Sequence, residues 1–194
     1  MKQGRLGVDI DGPYAQYMKV PTHLVHVLPD NVSLEEGVLV EPVVAVSHAL
    51  LERTKINPAD FVVVLGPGPI GLVAVQIVKL FSPRKTAITG LYADQHRLQV
   101  ARKIGVDYTF FSEENPEEKV KELTNGVGAD VVIDCSGGEK AITQATRMVR
   151  IGEWITILGL WGHSIKVNMD NIPYNNLTVR GSWDGLVWNR VLQR

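Results

Sequence analysis

Cysteine is almost missing from this chain. Cys135 stands alone, which excludes an internal disulfide and a cysteine-built zinc site within these residues. Charge of one sign is scarce as well: 20 Lys and Arg against 21 Asp and Glu leave a net charge of −1, and no dense block of either sign marks nucleic acid or an anionic membrane as the main partner. No apolar run reaches the ~18 residues that span a bilayer, and the first residues lack the hydrophobic region of a signal peptide, so a soluble cytoplasmic protein is expected. Repeats and low-complexity segments are absent too. What remains is an ordinary globular composition. With 194 residues and 45% hydrophobic content the chain can bury one good core, which predicts one complete domain with part of another.

The stretch Phe61-Val62-Val63-Val64-Leu65-Gly66-Pro67-Gly68-Pro69-Ile70-Gly71 organises the rest. Its apolar run suits a parallel strand covered on both faces. Gly66, Gly68 and Gly71 follow in G-x-G-x-x-G spacing, and Leu72, Val73, Val75, Ile77, Val78 and Leu80 continue as a helical pattern. In that arrangement Gly66 permits a tight turn, Gly68 lets backbone approach a pyrophosphate, and Gly71 lets the helix pack close to the strand. Free N–H groups at the helix start, aided by the helix dipole, then hold phosphate. Dinucleotide binding is the expectation.

Ahead of that turn the pattern differs. Asp11-Gly12-Pro13 is a turn signal, Tyr14 to Val20 has strand propensity, and His23 to Leu28 is a second short apolar segment. Ser33 with Glu36 forms a capping box, and the apolar stretch from Val38 to Leu51 is interrupted by Glu41-Pro42, where Pro42 should kink or restart the helix. Beyond the glycine turn, strands are predicted at 86–90, 108–111, 129–135 and 154–158, with helices over 94–104, 116–123 and 139–151 between them. Strand and helix in alternation imply an α/β, doubly wound parallel sheet preceded by a short β-rich remnant of a second domain. Ile165 to Met169 and Leu177 to Gly181 are further strand candidates, and a helix is expected to start at Asp184.

Taken in order, these residues resemble the medium-chain dehydrogenase/reductase superfamily, in its zinc-dependent polyol, threonine and alcohol dehydrogenase branch, with a sorbitol dehydrogenase-like pattern. The resemblance is carried by Asp11-Gly12 with Tyr14-Ala15-Gln16-Tyr17, by His26-Val27-Leu28-Pro29, by Leu39-Val40-Glu41-Pro42, by the glycine turn, by Arg97-Leu98, by Asp134-Cys135-Ser136-Gly137 and by Thr178-Val179-Arg180-Gly181-Ser182. It implies a Rossmann domain over 51–182, a strip of GroES-like catalytic domain with a connecting helix over 1–50, and the start of a further segment over 183–194. It also implies hydride transfer between NAD(P) and an alcohol or carbonyl held by zinc. The family's zinc-binding Cys and His-Glu are expected ahead of Met1, so this chain by itself is expected to bind cofactor without turnover and to lack catalytic residues. A nucleotide-binding or oligomerisation module without catalysis is the alternative. A methyltransferase-like domain is disfavoured by the Glu41-Pro42 and Thr178–Ser182 landmarks. Glu41-Pro42 also favours the zinc branch over a zinc-free quinone reductase.

Residue by residue, the resemblance places Glu41 near or on the catalytic zinc. It places Gly66, Gly68, Pro69, Ile70 and Gly71 on the pyrophosphate, Ser136 beside the adenine or ribose, and Leu158, Gly159, Leu160, Ser182 and Trp183 around the nicotinamide. An acidic residue is expected about 20 residues past the turn to bind the ribose. Gly90 stands there instead, 19 residues after Gly71. Without a carboxylate to repel a 2′-phosphate, and with Arg97 or His96 able to pair with it, the balance leans to NADP. The other reading has Asp94 reach back to the ribose and restore NAD. Homo-oligomerisation is implied through the segment from Ile165 to Gly181.

Overall fold

A computed structural model describes residues 6–183 and Val191. Six strands form one parallel sheet: β1 (Phe61–Leu65), β2 (Lys85–Gly90), β3 (Tyr108–Phe111), β4 (Ala129–Asp134), β5 (Val149–Ile157) and β6 (Thr178–Gly181). Their spatial order is β3-β2-β1-β4-β5-β6. The chain therefore starts at the centre, builds outward to one edge, returns across β1 and builds to the other edge. That order leaves a crevice outside the carboxyl ends of β1 and β4, the switch point of a doubly wound sheet.

Alternation along the strands divides the core in two. Val62 and Val64 of β1 face a layer made by α2 (Val40–Glu52), α3 (Pro69–Lys79) and α4 (Gln95–Lys103), which contributes Val46, Leu50, Ala74, Val78 and Leu98. Phe61, Val63 and Leu65 face the opposite layer of α5 (Pro116–Leu123) and α6 (Glu139–Met148), with Val120, Ile142, Ala145 and Met148. All five residues of β1 are buried, as a central parallel strand requires. Asp130 ties the start of β1 to its neighbours: its Oδ2 accepts from Phe61 N–H at 2.6 Å and its Oδ1 from Arg150 Nε at 2.6 Å.

Helix starts follow the sequence closely. Ser33 and Glu36 make the predicted capping box of α1 (Leu34–Gly37). Pro42 restarts rather than kinks the chain, because it lies in the first turn of α2, where its missing N–H has no intrahelical partner to lose. Asn57 to Asp60 closes as a turn through Asn57 N–H to Asp60 Oδ2 at 2.7 Å. Gly105, with φ +88°, ends α4 as expected.

Four expectations are corrected. No strand forms over 14–20 or 23–28: the segment is irregular apart from a 3-10 turn at Thr22–Leu24, and Tyr14, Tyr17 and Val27 are exposed. A strand persists only when its N–H and C=O groups pair with a neighbour, and none lies alongside among the described residues. Segment 165–169 is no strand either; Ile165 and Val167 pack against the α5–α6 core as loop residues. A one-turn helix, α7 (Asn171–Tyr174), precedes β6 where no helix was expected. Finally, α6 ends at Met148 rather than 151, because Val149 already pairs with Ala129 and β5 starts before its bulge. The helix expected from Asp184 lies outside the described residues. Among those described, no helix is long and apolar enough to cross a membrane.

Two predictions follow from these contacts. Asp107 joins β2 to the start of β3: its Oδ2 accepts from Thr86 N–H at 2.8 Å and Thr86 Oγ at 3.0 Å, and its Oδ1 from Lys85 Nζ at 2.7 Å. Burial pushes its pKa up, but these partners outweigh burial and hold it below the usual carboxylate value. Such a group stabilises above its unfolded pKa and loses that contribution as pH falls through the depressed folded value. Asp107→Ala is expected to cost about 1–3 kcal/mol in urea melts at pH 7, since buried Thr86 N–H loses its partner, and the deficit should shrink below pH ~4. The second concerns the glycine turn. A Cβ on Gly71 would overlap the carbonyl oxygen of Gly66, whereas one on Gly68 would meet nothing within 4 Å. In thermal melts Gly71→Ala should lose about 3 kcal/mol, while Gly68→Ala should stay within about 0.5 kcal/mol of wild type.

Candidate functional site: a cleft at the carboxyl ends of the strands

The glycine turn leaves β1 and enters α3 with each glycine held for a different reason. Gly66 takes φ +95°, and a Cβ there would lie 2.8 Å from Ser136 Cβ, so the turn lies against the loop after β4. Gly71 presses on the Gly66 carbonyl. Gly68 is under neither constraint: its φ is −68° and its Cβ direction opens into space. The fold would accept alanine at that position; a ligand approaching the backbone would not. Pro69 opens α3 at a position where no N–H is needed, and no side chain caps the helix, so the first-turn amides of Ile70 and Gly71 keep no side-chain acceptor.

A cleft of about 270 Å³ lies over this turn, with Gly66, Pro67 and Gly68 on its floor, Gly90, Asp94 and Arg97 along one side, and Ser136 and Gly138 along the other. Gly90 is where the missing acidic residue was expected, and its surroundings explain the glycine. A Cβ there would lie 2.7 Å from Pro67 Cγ and 3.2 Å from Asp94 Cβ. Asp94, the next acidic residue, therefore lies beside the end of β2. Its Oδ2 accepts from Leu91 N–H at 3.1 Å, and its Oδ1 pairs with Arg97 Nη1 at 3.0 Å. Asp94 precedes α4 without capping it through its side chain. Glu113, outside the residues that line the cleft, accepts from Tyr92 N–H at 3.2 Å.

The loops after β4 and β5 are fixed from below by Asp134, whose side chain is fully buried. Oδ1 accepts from Ser136 N–H at 2.9 Å and Ser136 Oγ at 2.7 Å, while the Asp134 carbonyl accepts from Leu158 N–H at 2.8 Å and Gly159 N–H at 3.0 Å. Burial raises the pKa of this carboxyl, against the opposing pull of the Ser136 and Gly137 hydrogen bonds. Cys135, beside it, has its thiol pushed far up by burial and by the Asp134 charge, so it is no nucleophile at neutral pH.

Of the residues singled out from sequence, Gly66, Gly68, Gly90, Arg97 and Ser136 share the cleft. Pro69, Ile70 and Gly71 form the helix start next to it. Leu158, Gly159 and Leu160 do not line it, but they adjoin it through Gly137, which a Cβ on Gly159 would strike. Ser182 continues the β5–β6 ladder through its N–H to Ile157 O at 2.9 Å, and Trp183 is 60% exposed. Glu41 stands exposed in the first turn of α2, and among the described residues no group of three or more His, Cys, Asp or Glu could hold a metal ion. These residues do not by themselves make a zinc site. Sequence reasoning missed Ser112, Lys140, Ala141 and Gln144, which reach the cleft from the end of β3 and the first turns of α6. No one-dimensional spacing marks them. A larger hollow of about 360 Å³ bordered by α5, α6 and α7 holds none of the predicted residues.

The zinc-binding dehydrogenase family model matches residues 69–194. The sorbitol dehydrogenase of Halalkalibacterium halodurans is 38% identical over 179 residues, covering 91% of this chain and 52% of that protein. The L-threonine 3-dehydrogenase of Bacillus licheniformis is 34% identical over 178 residues, covering 91% of this chain and 50% of its own length. Among solved structures, a zinc-binding dehydrogenase from Sinorhizobium meliloti bound to NADP superposes with a TM-score of 0.86 at 26% identity, covering 97% of this chain and 56% of that one. The chain spans about half the length of the curated relatives it matches. With the strand order and the glycine turn already pointing the same way, the family match closes the question of kinship: the chain belongs to the zinc-binding dehydrogenase family.

Proposed function

We propose that residues 51–182 are the dinucleotide-holding unit of an oxidoreductase that moves a hydride between a nicotinamide and a small alcohol or polyol, with residues 1–50 contributed to its catalytic unit. The observation that carries this reading is Gly68, a glycine that neither backbone angle nor packing requires, at the floor of a cleft where a pyrophosphate would press. Gly66 to Gly71 hold the pyrophosphate, and the cleft side at Gly90 and Asp94 takes the adenosine ribose. Ser136 stands beside the adenine or ribose, and Leu158 to Leu160, with Ser182 and Trp183, flank the nicotinamide half. Glu41 serves a zinc only together with ligands beyond the described residues, and the reading routes no step of this chain through the metal. The edge strand β6 offers the unpaired backbone for a homo-oligomer.

The rim favours NAD over NADP in this proposal, against the lean taken from Gly90 alone. Asp94 occupies the neighbourhood of the missing side chain, and Arg97 is already committed to it. A second reading is a nucleotide-binding or oligomerisation module that keeps cofactor binding and drops turnover.

Titration calorimetry with NAD(H) and NADP(H) tests these assignments. NAD(H) should bind more tightly, Asp94→Asn should weaken it about tenfold, and Gly68→Ala should abolish measurable binding while leaving the melting temperature unchanged. Tighter NADP(H) binding that is lost in Arg97→Ala would return the ribose assignment to a 2′-phosphate pocket. Hydride transfer from sorbitol to NAD, assayed with zinc in a longer form of the protein that supplies further metal ligands, separates the two readings; this chain alone forms no NADH under either.

A further inference from the structure

Ser136 stands just past the end of β4, where it is exposed and lines the cleft. Its hydroxyl has one proton to give and two lone pairs to offer. The proton is spent: Oγ donates to Asp134 Oδ1 at 2.7 Å, beside the Ser136 N–H that reaches the same oxygen at 2.9 Å. One lone pair is spent too, accepting from Gly138 N–H at 3.0 Å. The second lone pair has no partner among the described residues. A group that can ordinarily donate or accept has thereby become an acceptor only, and Asp134 is the residue that fixes this polarity.

That polarity limits what can stand against it. Phosphate oxygens only accept, so the pyrophosphate belongs to the uncapped first turn of α3 and not to Ser136. Hydroxyls and amines of a nucleotide can donate, and position narrows the choice to the ribose. A Cβ on Gly66 would meet Ser136, and one on Gly90 would meet Pro67 and Asp94, so Ser136 and Asp94 flank neighbouring residues of the turn from opposite sides. Because β1 separates β2 from β4, the strand ends that carry these two acceptors stand about 10 Å apart. A ribose diol with a hydrogen bond of about 2.8 Å at each end bridges roughly 8 Å, a span that fits between side chains based on those strands. The acidic residue on the β2 side takes the 2′-hydroxyl, which leaves the 3′-hydroxyl for the other wall.

We propose that Ser136 Oγ accepts a hydrogen bond from the 3′-hydroxyl of the adenosine ribose, so that a diol with two donors is held between two acceptors, Asp94 and Ser136. The inference rests on the dinucleotide reading above. A 3′ substituent that cannot donate leaves the Oγ lone pair unmatched and loses affinity.

Calorimetry on this chain compares NAD with two analogues in which hydrogen or an amino group replaces the adenosine 3′-hydroxyl. Wild type should bind the 3′-deoxy form about tenfold more weakly than NAD, and the 3′-amino form, which keeps a donor, no more weakly than NAD. In Ser136→Ala the affinities for NAD and the 3′-deoxy form should come within about twofold of each other. Should Ser136→Ala fold poorly, Ser136→Cys nearly keeps the size and offers only a weak acceptor, and the same convergence is expected there. Equal wild-type affinities for NAD and the 3′-deoxy form overturn the inference and leave the dinucleotide reading intact. So does a gap that persists in a folded variant, or a 3′-amino form that binds as weakly as the 3′-deoxy one. Binding of none of the three overturns both.

Discussion

A buried carboxylate holds the carboxyl edge of this sheet together. Asp134 ends β4 with no exposure to water, and hydrogen bonds from Ser136 and Gly137 offset only part of the cost of that position. Its side chain sets the path of one loop and its carbonyl sets the path of the next, through Leu158 and Gly159. Because both loops hang from one residue, they can approach until Gly159 leaves no space for a side chain above Gly137. The first loop in turn meets Gly66 through Ser136, so the glycine turn, the β4 loop and the β5 loop share one rigid support. A cleft of defined width at the switch point is the outcome.

Within that support, packing and recognition use the same residue type for different ends. Gly66 and Gly71 are glycines because the backbone and its neighbours leave no alternative. Gly90 is glycine because Pro67 has taken the space, with Asp94 packed beside it. Gly68 is held by neither a positive φ nor a close neighbour. On the rim, the Asp94 carboxylate is engaged by the backbone N–H of Leu91 and so held in place.

Much of this was legible in the sequence because it is local. The strand of Phe61 to Leu65, the turn glycines, the Ser33–Glu36 box and the Gly105 stop each depend on residues within one turn of each other, and each appears where periodicity and capping put it. Strand propensity at 14–28 and 165–169 misled, since β structure exists only in pairs and propensity says nothing about a partner. The cleft was legible in part. Spacing pointed to Gly66, Gly68 and Gly90 and the family resemblance to Ser136, all at strand ends, but neither to Gln144 or Ser112, which meet only after α6 crosses to the end of β3. The Asp94–Arg97 pair was visible as two residues, but the contact that joins them was not.

The central position of β1 also bears on how the chain folds. Its pairing with β2 joins residues such as Val63 and Ala87, close in sequence, while its pairing with β4 brings Val63 to Val132. The first three strands can zip through short crossovers, but the β1–β4 seam must close a far longer loop, the kind of non-local step that slows folding. Ser136 meets Gly66 only across that seam, so the cleft does not exist until that long-range closure is made. A ligand seated there would bind the finished topology and not its precursors, and mass action would then favour the closed seam.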